Sequence, residues 1–272
     1  MPRSRGCAST GSDVDLGLAG RTAVVTGASR GIGLAITRAL VEEGVTVVAA
    51  ARSGSQSLDE LGDAVHVVQV DLSTPDGPAT LIAAAVEALG GIDVLVNNVG
   101  AVHPRLGGFL SVSDDEWAAT LDLDVLAAIR TMRAAIPHLT GRDGANIVTV
   151  SSVNAFLPDP GVLDYSAAKA ALSNVCKSLS KELGPAIRVN TVSPGPVATD
   201  LWLGAGGVAA TVGGAGGRSA DEVVRAQEAA APSGRFTTPQ EVADAVVFLA
   251  SPRSANTTGA DLVIDGGLIP TL

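Results

Sequence analysis

The sequence predicts an α/β protein built on a doubly wound parallel sheet of about seven strands, with helices on both faces. Three observations carry this. Short apolar runs rich in β-branched residues alternate along the chain with segments of helical period, as in repeated strand–helix–strand units. The first such run ends in a glycine-rich turn that opens a helix. Hydrophobic residues make up 46% of the 272 but aromatic ones only 3%, so the core must be built from Ala, Val, Leu and Ile, which suits buried parallel strands.

The first 17 residues, MPRSRGCASTGSDVDLG, are rich in Gly, Ser and Asp and lack the apolar core of a signal peptide. They are expected to be a disordered extension before a single domain over 18–272. Residues 22–26 (TAVVT) form the first strand and 31–43 the first helix; strands follow at 45–51 and 65–70, with a polar connection and about one helical turn between them. A helix over 78–89 precedes a buried strand at 92–96, which ends at Asn97, Asn98, Val99 and Gly100. Ser113, with Glu116 three residues on, has capping-box spacing and starts a long helix to about 139. The fifth strand, 146–150, delivers Ser151 and Ser152 at its carboxyl end, a helix runs over 164–183, and the sixth strand is 188–192. The Gly- and Ala-rich stretch after it predicts no regular structure over 201–218, helices are expected at 219–231 and 239–251, and the last strand is 261–264. Residues 201–232 read together as a mobile flap.

Composition narrows the function classes. With 18 Lys plus Arg against 28 Asp plus Glu the net charge is −10, which argues against a nucleic-acid partner. No apolar run reaches the ~18 residues of a membrane span, so no membrane association is expected. The two cysteines, Cys7 and Cys176, form neither a ligand cluster nor a disulfide framework, and a reducing, cytoplasmic setting fits best. His66, His103 and His138 lie far apart without ligand spacing, so no metal site is expected.

Residues 26–33 read TGASRGIG. Gly27, Gly31 and Gly33 allow a tight turn and close approach of a pyrophosphate to the first helix, with Ser29, Arg30 and Ile32 in the same loop. A plain strand-to-helix turn is the bland alternative. An NAD enzyme of this architecture places an acidic residue at the end of the second strand to hold the ribose diol. Here Ala51 and Arg52 stand there instead, and Arg52 with Arg30 could take a 2′-phosphate, so NADP(H) is expected over NAD(H) unless both arginines are simply solvated. Asp71, with Leu72 beside it at the third strand's end, is placed to meet adenine, although aspartate there can equally form a turn. The only tyrosine, Tyr165, precedes Lys169, one of three lysines, by four residues. On a helix that spacing sets both on one face, where a cation favours phenolate and makes the phenol a usable proton donor and acceptor.

With Ser152 thirteen residues before Tyr165, these elements make the chain resemble a single-domain short-chain dehydrogenase/reductase from Leu18 to Gly267. TGASRGIG matches that family's cofactor loop. NNVG at 97–100, with Asn98 and Gly100, matches its NNAG segment, and PGPVAT at 194–199, with Pro194, Gly195, Val197 and Thr199, its nicotinamide-binding segment. The resemblance implies that Tyr165 exchanges a proton with a carbonyl or alcohol oxygen while hydride moves to or from nicotinamide, that Ser152 hydrogen-bonds the same oxygen, that Lys169 holds the nicotinamide ribose, and that Thr199 meets the carboxamide. It also implies a small-molecule carbonyl or alcohol substrate and a homotetramer built on helices 113–139 and 164–183. One position departs from the family, which has asparagine where this chain has Asp124; a buried carboxylate there could pair with Lys169 and alter proton relay. His103, Asn154, Phe156 and Trp202 lie in loops that shape the substrate pocket in this architecture. The alternative function is a dinucleotide-binding sensor or assembly protein that keeps the fold without the chemistry.

Overall fold

The computed structural model describes residues 14–271. Most of the extension expected at 1–17 lies outside them. Within residues 14–17, the Asp15 carbonyl accepts a hydrogen bond from Arg253 Nε at 2.8 Å. The seven strands are β1 Thr22–Thr26, β2 Thr46–Ala51, β3 Val65–Gln69, β4 Val94–Asn97, β5 Asn146–Val150, β6 Arg188–Pro194 and β7 Asp261–Ile264. They form one sheet in the order β3-β2-β1-β4-β5-β6-β7, every pairing parallel. The chain leaves β1 toward β2 on one side and returns to start β4 on the other, which opens a crevice at the carboxyl ends of β1 and β4.

Register and alternation explain the two cores. Val48, Val24, Leu95, Ile147 and Val189 are successive partners across five strands, and all face one side of the sheet. There they meet α3 (Gly77–Leu89), α5 (Ala127–Leu139) and α6 (Leu163–Leu183) through Leu81, Ile82, Met132 and Leu172. One residue along, Ala49, Val25, Val96 and Val148 face the opposite side. That row packs under α1 (Gly31–Glu42) and α10 (Pro239–Ala250), which also touch each other. Both faces are apolar because both are covered.

Most elements lie where the sequence predicts them; two differ. The connection after β2 holds the expected helical turn as α2 (Gln56–Asp59), followed by a 3₁₀ turn at Gly62–Ala64. The long helix begins as expected at Ser113, whose side chain accepts from Glu116 N at 3.3 Å while Glu116 Oε2 accepts from Ser113 N at 2.8 Å. It is not uniform, however: α4 (Asp114–Leu121) passes through a π-helical turn, Asp122–Leu126, before α5. Such turns widen a helix locally and often mark functional sites. The segment read as irregular over 201–218 is largely helical, with α7 (Asp200–Leu203) and α8 (Val208–Ala215) ahead of α9 (Ala220–Ala230). Glycine propensity hid α8, which gains its stability by packing against α9. Among the described residues no helix is long and apolar enough to cross a membrane.

Candidate active site

The carboxyl ends of the strands open into one cleft of about 830 Å³. Its walls include all the glycine-loop residues expected to bind cofactor, together with Arg52, Asp71, Leu72, Asn98, Gly100, Pro194, Gly195, Val197 and Thr199. Ser152, Tyr165, Lys169, Asn154 and Trp202 line it too. His103 and Phe156 are exposed and are not among the residues that line it.

At the glycine loop the backbone itself decides the residue type. Gly27 and Gly31 have φ of +66° and +56°, and a Cβ on Gly33 would sit 2.2 Å from the Gly27 carbonyl oxygen. Asn98 Nδ2 donates to the carbonyls of Thr26 (3.0 Å) and Gly27 (3.2 Å), while Thr26 Oγ1 accepts from Asn98 N at 2.8 Å, so the end of β4 braces the loop. Arg30 precedes α1 without a side-chain cap, and the first turn carries no acidic residue. The opening N–H groups of α1 are therefore available to an anion, and the cradle fits a pyrophosphate. Arg30 and Arg52 are exposed on the wall of this part of the cleft, and among the described residues neither is ion-paired. Asp71 accepts from Ser73 Oγ (2.7 Å) and Ser73 N (2.9 Å); these bonds, with Arg52 nearby, hold its carboxyl below the usual range.

Lys169 is buried at 3% exposure. Its Nζ donates to the Val150 carbonyl at 3.3 Å, lies 5.5 Å from the centre of the Tyr165 ring, and stands 3.7 Å from Asp124 Oδ1. Asp124 sits within the π-helical turn and accepts from Ala101 N at 3.2 Å. Burial raises its proton affinity above the usual carboxylate range, although Lys169, Ala101 and His103 pull the other way. Gly100 makes the pair possible, since a Cβ there would lie 2.6 Å from Asp124 Oδ1 and 3.2 Å from Lys169 Nζ. Ser152, just past β5, donates to Asn154 Oδ1 and accepts from Asn154 N, each at 3.2 Å.

Sequence reasoning missed the group that anchors the tyrosine's helix. Asp164, one residue before Tyr165, accepts from Arg105 Nε (3.0 Å), Arg105 Nη2 (2.5 Å) and Thr120 Oγ1 (2.8 Å). Arg105 also reaches Glu116 at 2.7 Å and donates its backbone N–H to the Gly161 carbonyl at 2.7 Å. The loop after β4, α4 and the start of α6 are thus tied at one point. Burial opposes ionisation of Asp164, but the bonds from Arg105 and Thr120 outweigh it and hold the carboxyl below its usual range. Arg105 and Asp164 lie 59 residues apart, so no local pattern marks them. On α7, Trp202 packs edge-on against Phe236, ring centres 5.4 Å apart. The parallel bridge between Val197 and Thr237 fixes the segment that presents Thr199.

The chain is similar to known proteins over most of its length. A family model described as enoyl-(acyl carrier protein) reductase matches residues 27–269. The 3-oxoacyl-acyl-carrier-protein reductase of Vibrio cholerae is 33% identical over 93% of this chain and 99% of its own length. Dehydrogenase/reductase SDR family member 4 of Homo sapiens is 34% identical over 92% of this chain and 88% of its own. Among solved structures, L-sorbose reductase from Gluconobacter frateurii, complexed with NADPH and L-sorbose, superposes with a TM-score of 0.87 at 32% identity. It covers 95% of this chain and 100% of that one.

Proposed function

The chain belongs to the short-chain dehydrogenase/reductase family of oxidoreductases, and on that premise we propose that it is an NADP(H)-dependent carbonyl reductase or alcohol dehydrogenase with Tyr165 as general acid and base. The observation that carries this reading is the buried Lys169 ammonium held 5.5 Å from the Tyr165 ring centre, in the same cleft as the uncapped start of α1. A dinucleotide held along the glycine loop and the start of α1 would supply or accept the hydride. Tyr165 holds the proton at its phenol oxygen and passes it to a substrate carbonyl, or takes it from an alcohol, with Lys169 Nζ beside its ring. Ser152 turns its hydroxyl proton from Asn154 Oδ1 toward the same substrate oxygen and polarises it. The glycine loop and the first N–H groups of α1 hold the pyrophosphate. Asn98 keeps that loop in shape, Gly100 leaves room for Lys169, and Asp71 with Leu72 borders the adenine end.

Preference for NADP(H) rests on Arg30 in the glycine loop and on Arg52 at the end of β2, where no carboxylate stands to hold a ribose diol. Asp124 positions Lys169 and gives the proton path a second acid. The domain reading of one unit over 18–272 with a movable flap at 201–232 belongs to this account, with Trp202 on the flap closing over the substrate. A homotetramer is supported by Leu121 and Leu126, which are 37% and 36% exposed at the α4–α5 junction. A cytoplasmic setting is consistent with Cys176, a buried free thiol whose proton burial holds up to about 11. The test is carbonyl-dependent oxidation of NADPH by the native protein and by Tyr165→Phe. Loss of turnover with NADPH binding retained supports the proposal; binding without turnover of any carbonyl by the native protein would favour the sensor.

A further inference from the structure

The turn after β7 joins three parts of the cleft. It begins at Asp265, whose Oδ1 accepts from Gly267 N and whose Oδ2 accepts from Ile269 N, each at 2.8 Å. Both carboxylate oxygens are thus engaged by the turn's own N–H groups, which fixes the residue between those two donors, Leu268. Gly266 and Gly267 have φ of +65° and +84°, a path open to glycine. Leu268 is half-buried and lines the cleft, as do Gln227 and Ala230 near the end of α9.

On one side the turn meets segment 194–199. Gly195 N donates to the Ile264 carbonyl at 2.9 Å, and a Cβ on Gly195 would lie 3.0 Å from Asp265 Cα. On the other side it meets the residues that follow α9. Ser233 N donates to the Gly266 carbonyl at 3.0 Å, and a Cβ on Gly267 would lie 3.0 Å from Pro232 Cγ. The leading end of the flap continues directly from segment 194–199 into α7, whereas its trailing end is fastened to that segment through this turn.

We propose that Leu268 is a specificity-determining residue of the cleft and that Asp265 is its positioning residue, its turn latching the trailing end of the flap to segment 194–199. The inference rests on the reductase reading above, with its flap. A substrate body that reaches Leu268 is admitted only as far as the turn lets that side chain give way. Removing the Asp265 carboxylate should therefore act like trimming Leu268 itself.

The first measurement needs no substrate: hydrogen exchange, read by mass spectrometry, on the NADP⁺-saturated protein. Asp265→Ala loses two charge-assisted bonds, so residues 226–237 should exchange roughly tenfold faster or more while α1 exchanges as in the native protein. Unchanged exchange over 226–237, or an equal rise in α1, overturns the latch. The second measurement takes kcat/KM with NADPH for cyclopentanone and for 4-phenylcyclohexanone, and the dissociation constants of the matching alcohols from the NADP⁺-saturated protein. Leu268→Trp should lower the large-to-small preference roughly tenfold, the worth of overpacking, and Leu268→Ala should raise it, both with NADPH affinity unchanged. Asp265→Ala should move the preference in the direction of Leu268→Ala, and the double variant should go no further than Leu268→Ala alone. Additive effects, or a preference that neither Leu268 variant moves, overturn the assignment. Asp265→Asn, which keeps one acceptor, should fall between native and Asp265→Ala in both measurements and carries the test if the alanine variant does not fold. If neither ketone is reduced yet the alcohols bind with the expected shifts, the role of Leu268 stands and the reductase reading falls. If neither alcohol binds, the role of Leu268 falls.

Discussion

Replacing Asp124 by asparagine is expected to make the protein more stable at neutral pH and to change the pH dependence of its rate. Two opposing effects act on the carboxyl. At 3.7 Å from Lys169 Nζ its charge gains about 4–5 kcal/mol at an effective dielectric constant of ~20. Its burial, at 1% exposure, nevertheless wins, since the net displacement of its proton affinity is upward. An acid displaced in that direction contributes stability below its unfolded value of ~3.9 and loses it as pH rises through the folded value, at ~1.4 kcal/mol for each pH unit of displacement. Asparagine, neutral throughout, escapes that loss. The melting-temperature difference between Asp124→Asn and native protein should therefore be constant in acid and widen in the variant's favour above the ordinary carboxylate range. At this chain length each kcal/mol is worth roughly 2–4 °C. Thermal unfolding followed by circular dichroism from acid to mild alkali reads it directly. The charged groups facing Asp124 are Lys169 from α6 and His103 from the loop after β4, and both stay in the variant. A gap independent of pH, or a variant less stable at neutral pH, would show that the ion pair outweighs burial and would refute the reasoning. The same variant should lose one ionisation from the pH profile of kcat; an unchanged rate and profile would remove Asp124 from the proton path.

Gly33→Ala should weaken NADPH binding more than tenfold, because its methyl would stand 2.2 Å from the Gly27 carbonyl and must push the loop or α1 aside; equilibrium fluorescence titration measures it. Arg52→Asp, which restores a carboxylate at the end of β2, should move the NADPH-to-NADH affinity ratio toward NADH by roughly ten- to a hundredfold, the worth of a charge-assisted hydrogen bond, and a ratio that does not move would free Arg52 of this role. Asp164→Asn leaves Arg105, 11% exposed, without its buried partner and should cost about 3–5 kcal/mol at neutral pH. Because the Asp164 carboxyl is held below its usual range, that contribution is present above ~3.9 and is lost as pH falls through the folded value, so denaturant unfolding should find native and variant converging in acid.

What could be read from the sequence was whatever chemistry writes locally. The strands announced themselves because burial on both faces demands unbroken runs such as 22–26, and the cofactor loop because tight turns and close approach demand glycine at 27, 31 and 33. Tyr165 and Lys169 were legible through helical spacing, and Asp124 through its position in a recognised segment. The Arg105–Asp164 tie was not, since it joins residues 59 apart whose only shared feature is the fold that brings them together. The π-helical turn at Asp122–Leu126 also left no mark, for it alters hydrogen-bond register without altering the apolar pattern. The helix α8 was hidden by its glycines, Gly213 and Gly214, because tertiary packing against α9 overrides their weak propensity.

The central claim is hydride transfer to a carbonyl with Tyr165 delivering the proton. It is tested most directly by supplying a ketone found by a carbonyl panel to consume NADPH, with NADPH deuterated on the nicotinamide C4 position from which hydride leaves, and by locating the label in the product by mass spectrometry. The native protein should place one deuterium on the carbinol carbon, and Tyr165→Phe, although it still binds the dinucleotide, should form no labelled alcohol. Alcohol formed without the label, or labelled equally by native protein and Tyr165→Phe, would contradict the account.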